Sequence, residues 1–136
     1  MQGNEDPILG GFFSYGNSLS ADGRYVAFAS RAFNLVAGGI HNINFDVFVH
    51  DRLTKQTTQV SVDSNGIQGN GDSFEPSISA DGRYVAFSSK ATNLVAPPLV
   101  GFHIYVHDRE TKQTTLVRKP KSGSWGYQWN RRYFCP

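Results

Sequence analysis

A chain of 136 residues with 39% apolar side chains and 14 glycines has the size of one compact unit and is too apolar for wholesale disorder. It has no run of about 20 apolar residues that could cross a bilayer, and its opening residues lack the basic start and apolar run of a signal peptide, so neither a membrane nor an export signal is expected in the chain as written. The single Cys135 excludes an internal disulfide and a cysteine-built zinc cage. The net charge of +2 conceals eight Lys/Arg against eleven Asp/Glu in residues 1–117 and five basic residues with no acidic one in 118–136; a mildly acidic body argues against a nucleic-acid partner.

Residues 1–16 form an N-terminal segment ahead of the first strand, expected at Asn17 to Ser20. Ala21-Asp22-Gly23-Arg24 follows, and an Asp-Gly pair between apolar runs signals a two-residue hairpin in which both central residues take positive φ. Tyr25-Val26-Ala27-Phe28 is apolar on both alternating faces, so both faces of its sheet should be covered. The loop from Gly38 to Asp46 places Asn42, Asn44 and Asp46 at alternating positions, oxygens suited to a hard cation. One carboxylate is weak bait for calcium, and the plain reading is a polar loop in which Asp46 caps a turn. A third strand is expected over Asp46 to Asp51. A fourth, with Thr57, Thr58, Val60 and Val62, alternates as a half-exposed outer strand would.

The pattern then repeats. Ser18 to Ala37 returns 59 residues later as Ser77 to Ala96 with about 16 of 20 positions identical, and Val47 to Val60 returns at an offset of 57 as Ile104 to Val117. The second unit therefore has its strands at Pro76 to Ser79, Tyr84 to Phe87, His103 to Asp108 and near Thr114. Pro76 is placed at the start of its strand, where a missing N–H is tolerated. No window shows a 3.6-residue apolar period, so almost no helix is expected. After Val117 the echo fades into a basic aromatic tail in which Trp125 and Trp129 interleave with cations. Such a mixture could stack on bases or sugars, dock a partner, or cover a blade edge.

Four short antiparallel strands per repeat, polar at the outermost, describe a β-propeller blade. The motif Ser-Ala-Asp-Gly-Arg-Tyr-Val-Ala-Phe, then Asn-Leu-Val, then Val-His-Asp-Arg and a Thr-rich turn, resembles the TolB-like, WD-repeat-like β-propeller repeat of bacterial proteins. The resemblance implies an all-β fold of two four-stranded antiparallel propeller blades, a partial TolB-like β-propeller. The organisation expected is 1–16 N-terminal segment, 17–75 blade 1 with its connecting loop, 76–118 blade 2 and 119–136 tail. It also implies that Lys55 and Lys112 occupy a turn position where such repeats carry glycine. Relatives are commonly periplasmic or secreted. That fold hosts scaffolds, ligand binders and non-catalytic peptidase domains. The expectation is a non-enzymatic module for protein–protein interaction or scaffolding, as a fragment of a larger propeller. The alternative is a carbohydrate- or peptide-binding accessory piece of an extracellular hydrolase.

Propellers close with about four to eight blades, so two leave outward faces on which Val26, Phe28, Val85 or Phe87 are expected to lie uncovered. A protein partner or self-association is expected to cover them. Neither catalytic residues, metal nor cofactor is expected. His103 and His107 are four apart on a strand and span ~13 Å, too far to chelate one ion. His50 and His107 beside Asp51 and Asp108 predict a repeated hydrogen-bonded pair. Gly71-Asp72-Ser73-Phe74-Glu75 lacks the second glycine of a nucleophile elbow and is read as a turn between blades. The candidate binding residues are Asn42, Asn44, Asp46, Trp125 and Trp129.

Overall fold

The computed structural model describes residues 14–32, 34–37 and 43–118. These form β1 (Ser14–Leu19), β2 (Tyr25–Ser30), β3 (Asp46–Asp51), β4 (Gln56–Gln59), β5 (Ser73–Ile78), β6 (Tyr84–Ser89), β7 (His103–Asp108) and β8 (Gln113–Leu116). The first four make one antiparallel sheet in sequence order and the last four make the other; they are called blade 1 and blade 2. Among the described residues there is no helix.

Both inner strands start ahead of the boundaries at 17 and 76 that the repeat suggests, because each contains a bulge that interrupts its apolar pattern. The register shifts between Tyr15 and Asn17 in β1 and between Phe74 and Ser77 in β5. The bulge residue is left-handed, Gly16 at φ 62 and its counterpart Glu75 at φ 56. Pro76 consequently lies within its strand rather than at the start, tolerated because a bulge already breaks the ladder there.

The Asp-Gly hairpins are longer than the dipeptide predicts. Ser20 N–H donates to Tyr25 O and Gly23 N–H donates to Ser20 O, both at 3.0 Å. Only the glycine takes positive φ, 75 at Gly23 and 79 at Gly82. Asp22 instead turns its carboxylate inward, Oδ1 accepting from Ser20 Oγ at 2.8 Å and from Arg24 N–H at 3.0 Å. That local bonding favours a type I turn closed by a left-handed glycine over the primed turn.

The blades pack with β5 against β1, β2 and β3. One core joins them, Ala27, Ala29, Val47 and Val49 of blade 1 meeting Val85, Phe87 and Tyr105 of blade 2. Side chains alternate along a strand, so Phe28 and Phe48 lie on the other face of blade 1, clustered with Ala32 and Leu35. The expectation that Val85 and Phe87 are uncovered is therefore corrected. Both are buried between the blades, and Phe28 is 3% exposed. The aromatic face of blade 2 looks toward blade 1, whereas that of blade 1 looks away from blade 2.

Candidate functional site

Each blade carries the same polar clamp at the base of its Asp-Gly hairpin. Arg24 donates from Nε and Nη2 to the two carboxylate oxygens of Asp51 at 2.9 and 2.8 Å, and Arg83 does the same to Asp108 at 3.0 and 2.9 Å. The paired guanidinium, with backbone N–H groups from the following turn, holds both aspartates well below the usual carboxylate range. The next arginine fixes the hairpin itself, Arg52 Nη1 donating to Gly23 O at 2.9 Å and Arg109 Nη1 to Gly82 O at 2.7 Å.

The blade 2 clamp also makes the joint between blades. Gly82 lies so close to the Tyr25 ring that a Cβ there would fall 2.2 Å from it. The Arg109 guanidinium sits 4.6 Å from the centroid of the same ring, a cation–π contact. Ile78 N–H donates to Ser18 Oγ and Ala21 N–H to Ala80 O, each at 3.0 Å. Tyr25 is thus a socket for the glycine and arginine of the following blade.

The same parts recur at the two outer ends without that contact. Tyr84, the counterpart of Tyr25, holds its own Arg83 at 4.9 Å from the ring centroid and is 42% exposed. Gly23, the counterpart of Gly82, has only Arg52 Nη1, at 3.7 Å, near the position of a Cβ. Leu19, the counterpart of the buried Ile78, is 58% exposed.

A cleft of about 530 Å³ runs along the outer side of the joint, lined by Thr57, Gln59, Asn65, His107, Arg109 and Lys112 among others. Its floor is tied to blade 2 by the connecting loop, Ser64 Oγ accepting from Thr114 N–H at 3.0 Å. Thr114 Oγ1 donates to Val62 O at 2.7 Å. That commits its one proton, so the 2.7 Å bond to His107 Nδ1 is donated by the ring. Burial first, and then the charge of Lys112, hold the His107 pKa down to about 4. In blade 1, His50 Nδ1 pairs with Thr57 Oγ1 at 2.9 Å. The expected histidine–aspartate pairing is replaced by histidine–threonine, because each aspartate is already taken by its arginine.

Asn42, Trp125 and Trp129 lie outside the described residues. Asn44 is half-buried. Asp46 opens β3 fully buried and accepts from Ser61 Oγ at 2.9 Å, inside the blade rather than capping an exposed turn. Among the described residues no three His, Cys, Asp or Glu side chains gather as a metal set. Ser73 begins β5 rather than forming a turn; it is buried, with its Oγ 2.9 Å from Ser89 Oγ. Lys55 and Lys112 are left-handed at φ 67 and 65, the conformation that their turn requires. The sequence flagged neither the cleft nor the Tyr84 socket; the lone available signal was the repetition of Tyr25 at position 84.

No family model matches this chain, and no curated protein does. Among solved structures it is similar to the tricorn protease, with a TM-score of 0.52 and 14% identity, over 79% of this chain and 9% of that one. TolB from Acinetobacter baumannii also matches, with a TM-score of 0.30 and 15% identity, over 77% of this chain and 32% of that one. The chain thus spans a small part of either protein's length. Two four-stranded antiparallel sheets stacked in this way are propeller blades, and the fold is that of two neighbouring blades of a β-propeller.

Proposed function

We propose that this chain is a non-enzymatic interaction module whose working surfaces are its outward blade faces. The observation that carries this reading is the exposed Tyr84, since its counterpart Tyr25 is the ring on which a whole blade seats. Around Tyr84 the blade 2 face offers Ala86, Ile104 and Val106, the counterparts of the buried Ala27, Val47 and Val49. Apolar area of this kind contributes roughly 25 cal/mol per Å² once removed from water, so the face favours a protein partner over solvent. Light scattering together with binding of the dye 8-anilinonaphthalene-1-sulfonate tests the reading. The chain should associate, or bind the dye in a way that Val106→Glu abolishes. A well-folded monomer that ignores the dye defeats the proposal.

The cleft along the joint favours a second reading, a carbohydrate- or peptide-binding accessory role, because its threonine, glutamine and asparagine side chains suit hydroxyl or amide ligands. Oligosaccharide or peptide titration by NMR should then shift Thr57 and Asn65 in concert, and unmoved resonances across a broad panel set that role aside.

A further inference from the structure

We infer that the partner of the blade 2 face is blade 1 of a second copy of this chain, so that copies assemble head to tail into a closed ring. The inference rests on the blade faces being interaction surfaces, and it identifies their occupant. The joint inside the chain is the template. Its socket half is Tyr25 with Ser18, and its plug half is Gly82 held by Arg109, with Ile78 and Ala80 alongside. Every one of these residues has a counterpart of the same chemistry at an outer end of the molecule. Tyr84 and Ser77 repeat the socket on blade 2, and Gly23, Arg52, Leu19 and Ala21 repeat the plug on blade 1.

The hairpin of the plug already has the form it takes in the joint, since Arg52 grips Gly23 O at 2.9 Å as Arg109 grips Gly82 O at 2.7 Å. Seating it would bring Gly23 and Arg52 of one copy onto Tyr84 of another and let Leu19 N–H donate to Ser77 Oγ. Both Leu19 and Tyr84 are exposed in the single chain. Plug and socket are different surfaces, so the contact is heterologous; it propagates by rotation instead of pairing about a two-fold axis. With about four to eight blades to a propeller, roughly two to four copies close the ring.

Native mass spectrometry and light scattering of the full chain test this with two variants, each checked for β-structure by circular dichroism. Leu19→Glu spoils the plug and leaves the socket; Val106→Glu spoils the socket face and leaves the plug. Wild type should run at a fixed small multiple of 15.0 kDa, and each variant alone as a monomer, with association weakened about tenfold or more. Mixed together, the two variants should form a one-to-one pair that grows no further, since one intact plug and one intact socket remain. If Val106→Glu does not fold, Tyr84→Lys takes its place. A mixture that stays monomeric overturns the head-to-tail ring. So does a wild-type monomer, and the dye separates the two failures. A monomer that binds dye sinks the ring and keeps the interaction module, whereas a dye-silent monomer sinks both.

Discussion

The left-handed residues separate conformational cost from contact cost. Lys55 and Lys112 sit at φ 67 and 65, where a side chain costs roughly 1–2 kcal/mol in backbone sterics, partly offset by the extra chain entropy of an unfolded glycine. Lys55→Gly and Lys112→Gly should each stabilise the protein by about 0.5–1 kcal/mol in urea unfolding; a loss of stability would mean that the lysine side chains contribute more than their backbone costs. Gly82→Ala should go the other way and exceed Gly23→Ala by about 1–3 kcal/mol, because only the first drives a methyl into the Tyr25 ring. Equal effects would remove the glycine contact from the joint. His107 gives a pH dependence of known sign. With its folded pKa near 4 against 6.5 when free, the unfolded chain takes up the proton first, so stability is complete above about pH 6.5 and falls as pH drops toward 4. Burial also lowers the His50 pKa, and that ring adds to the same slope. Asp51 and Asp108 are held low, so they keep their contribution until the pH falls below 3.8. His107→Gln should therefore lose less of its urea midpoint between pH 7 and 4.5 than wild type does, and equal losses would place the sensitivity elsewhere.

Strands two and three were legible to within a residue or two, since Tyr-Val-Ala-Phe is an apolar run behind a turn, Val-His-Asp-Arg leads from strand three into the next turn, and both stand twice in the chain. The inner strands were legible only in part. Gly16 marks the bulge of β1 in the way a bulge glycine should, but its counterpart is Glu75, and no propensity points to a left-handed glutamate. The hairpin turn was misjudged because the dipeptide rule ignores Ser20 and Ser79, whose hydroxyls bond Asp22 at 2.8 Å and Asp81 at 2.7 Å and so select the longer loop. These hairpins are braced from strand three by the bidentate arginine pairs. Arg83→Lys keeps the charge but loses the planar fork that spans both Asp108 oxygens. It should lower the thermal midpoint and raise the Asp108 pKa toward its ordinary value, measurable by NMR titration of the carboxylate; an unmoved Asp108 titration would leave the fork without a structural role.

Which blade face is buried is a property of the two blades together. Strand alternation reveals that both faces of β2 and β6 are apolar, yet it cannot say which face meets which neighbour, and so Val85 and Phe87 were expected on the outside when they form the joint. The cleft was equally hidden, because its lining combines β4 and the adjoining connecting loop with the end of β7, as His107 stands 50 residues after Thr57 in the chain. A shared core has a consequence for folding. Ala27, Ala29, Val47 and Val49 share one core with Ile78, Val85, Phe87, Ala91, Leu94 and Tyr105 of blade 2, and stacked repeats draw stability from such interfaces as much as from within a unit. Phe87 is 1% exposed, so Phe87→Ala removes buried aromatic volume at the joint and should cost about 3–5 kcal/mol. If the blades fold as one cooperative unit, that loss is felt equally on both sides. Amide hydrogen exchange should then quicken at Ala27 and Val49 in blade 1 by the same factor, roughly 150-fold or more, as at Val85 and Tyr105 in blade 2. Exchange that accelerates in blade 2 while blade 1 keeps its protection would show two independently stable blades, and with it a joint too weak to serve as the template for a neighbour.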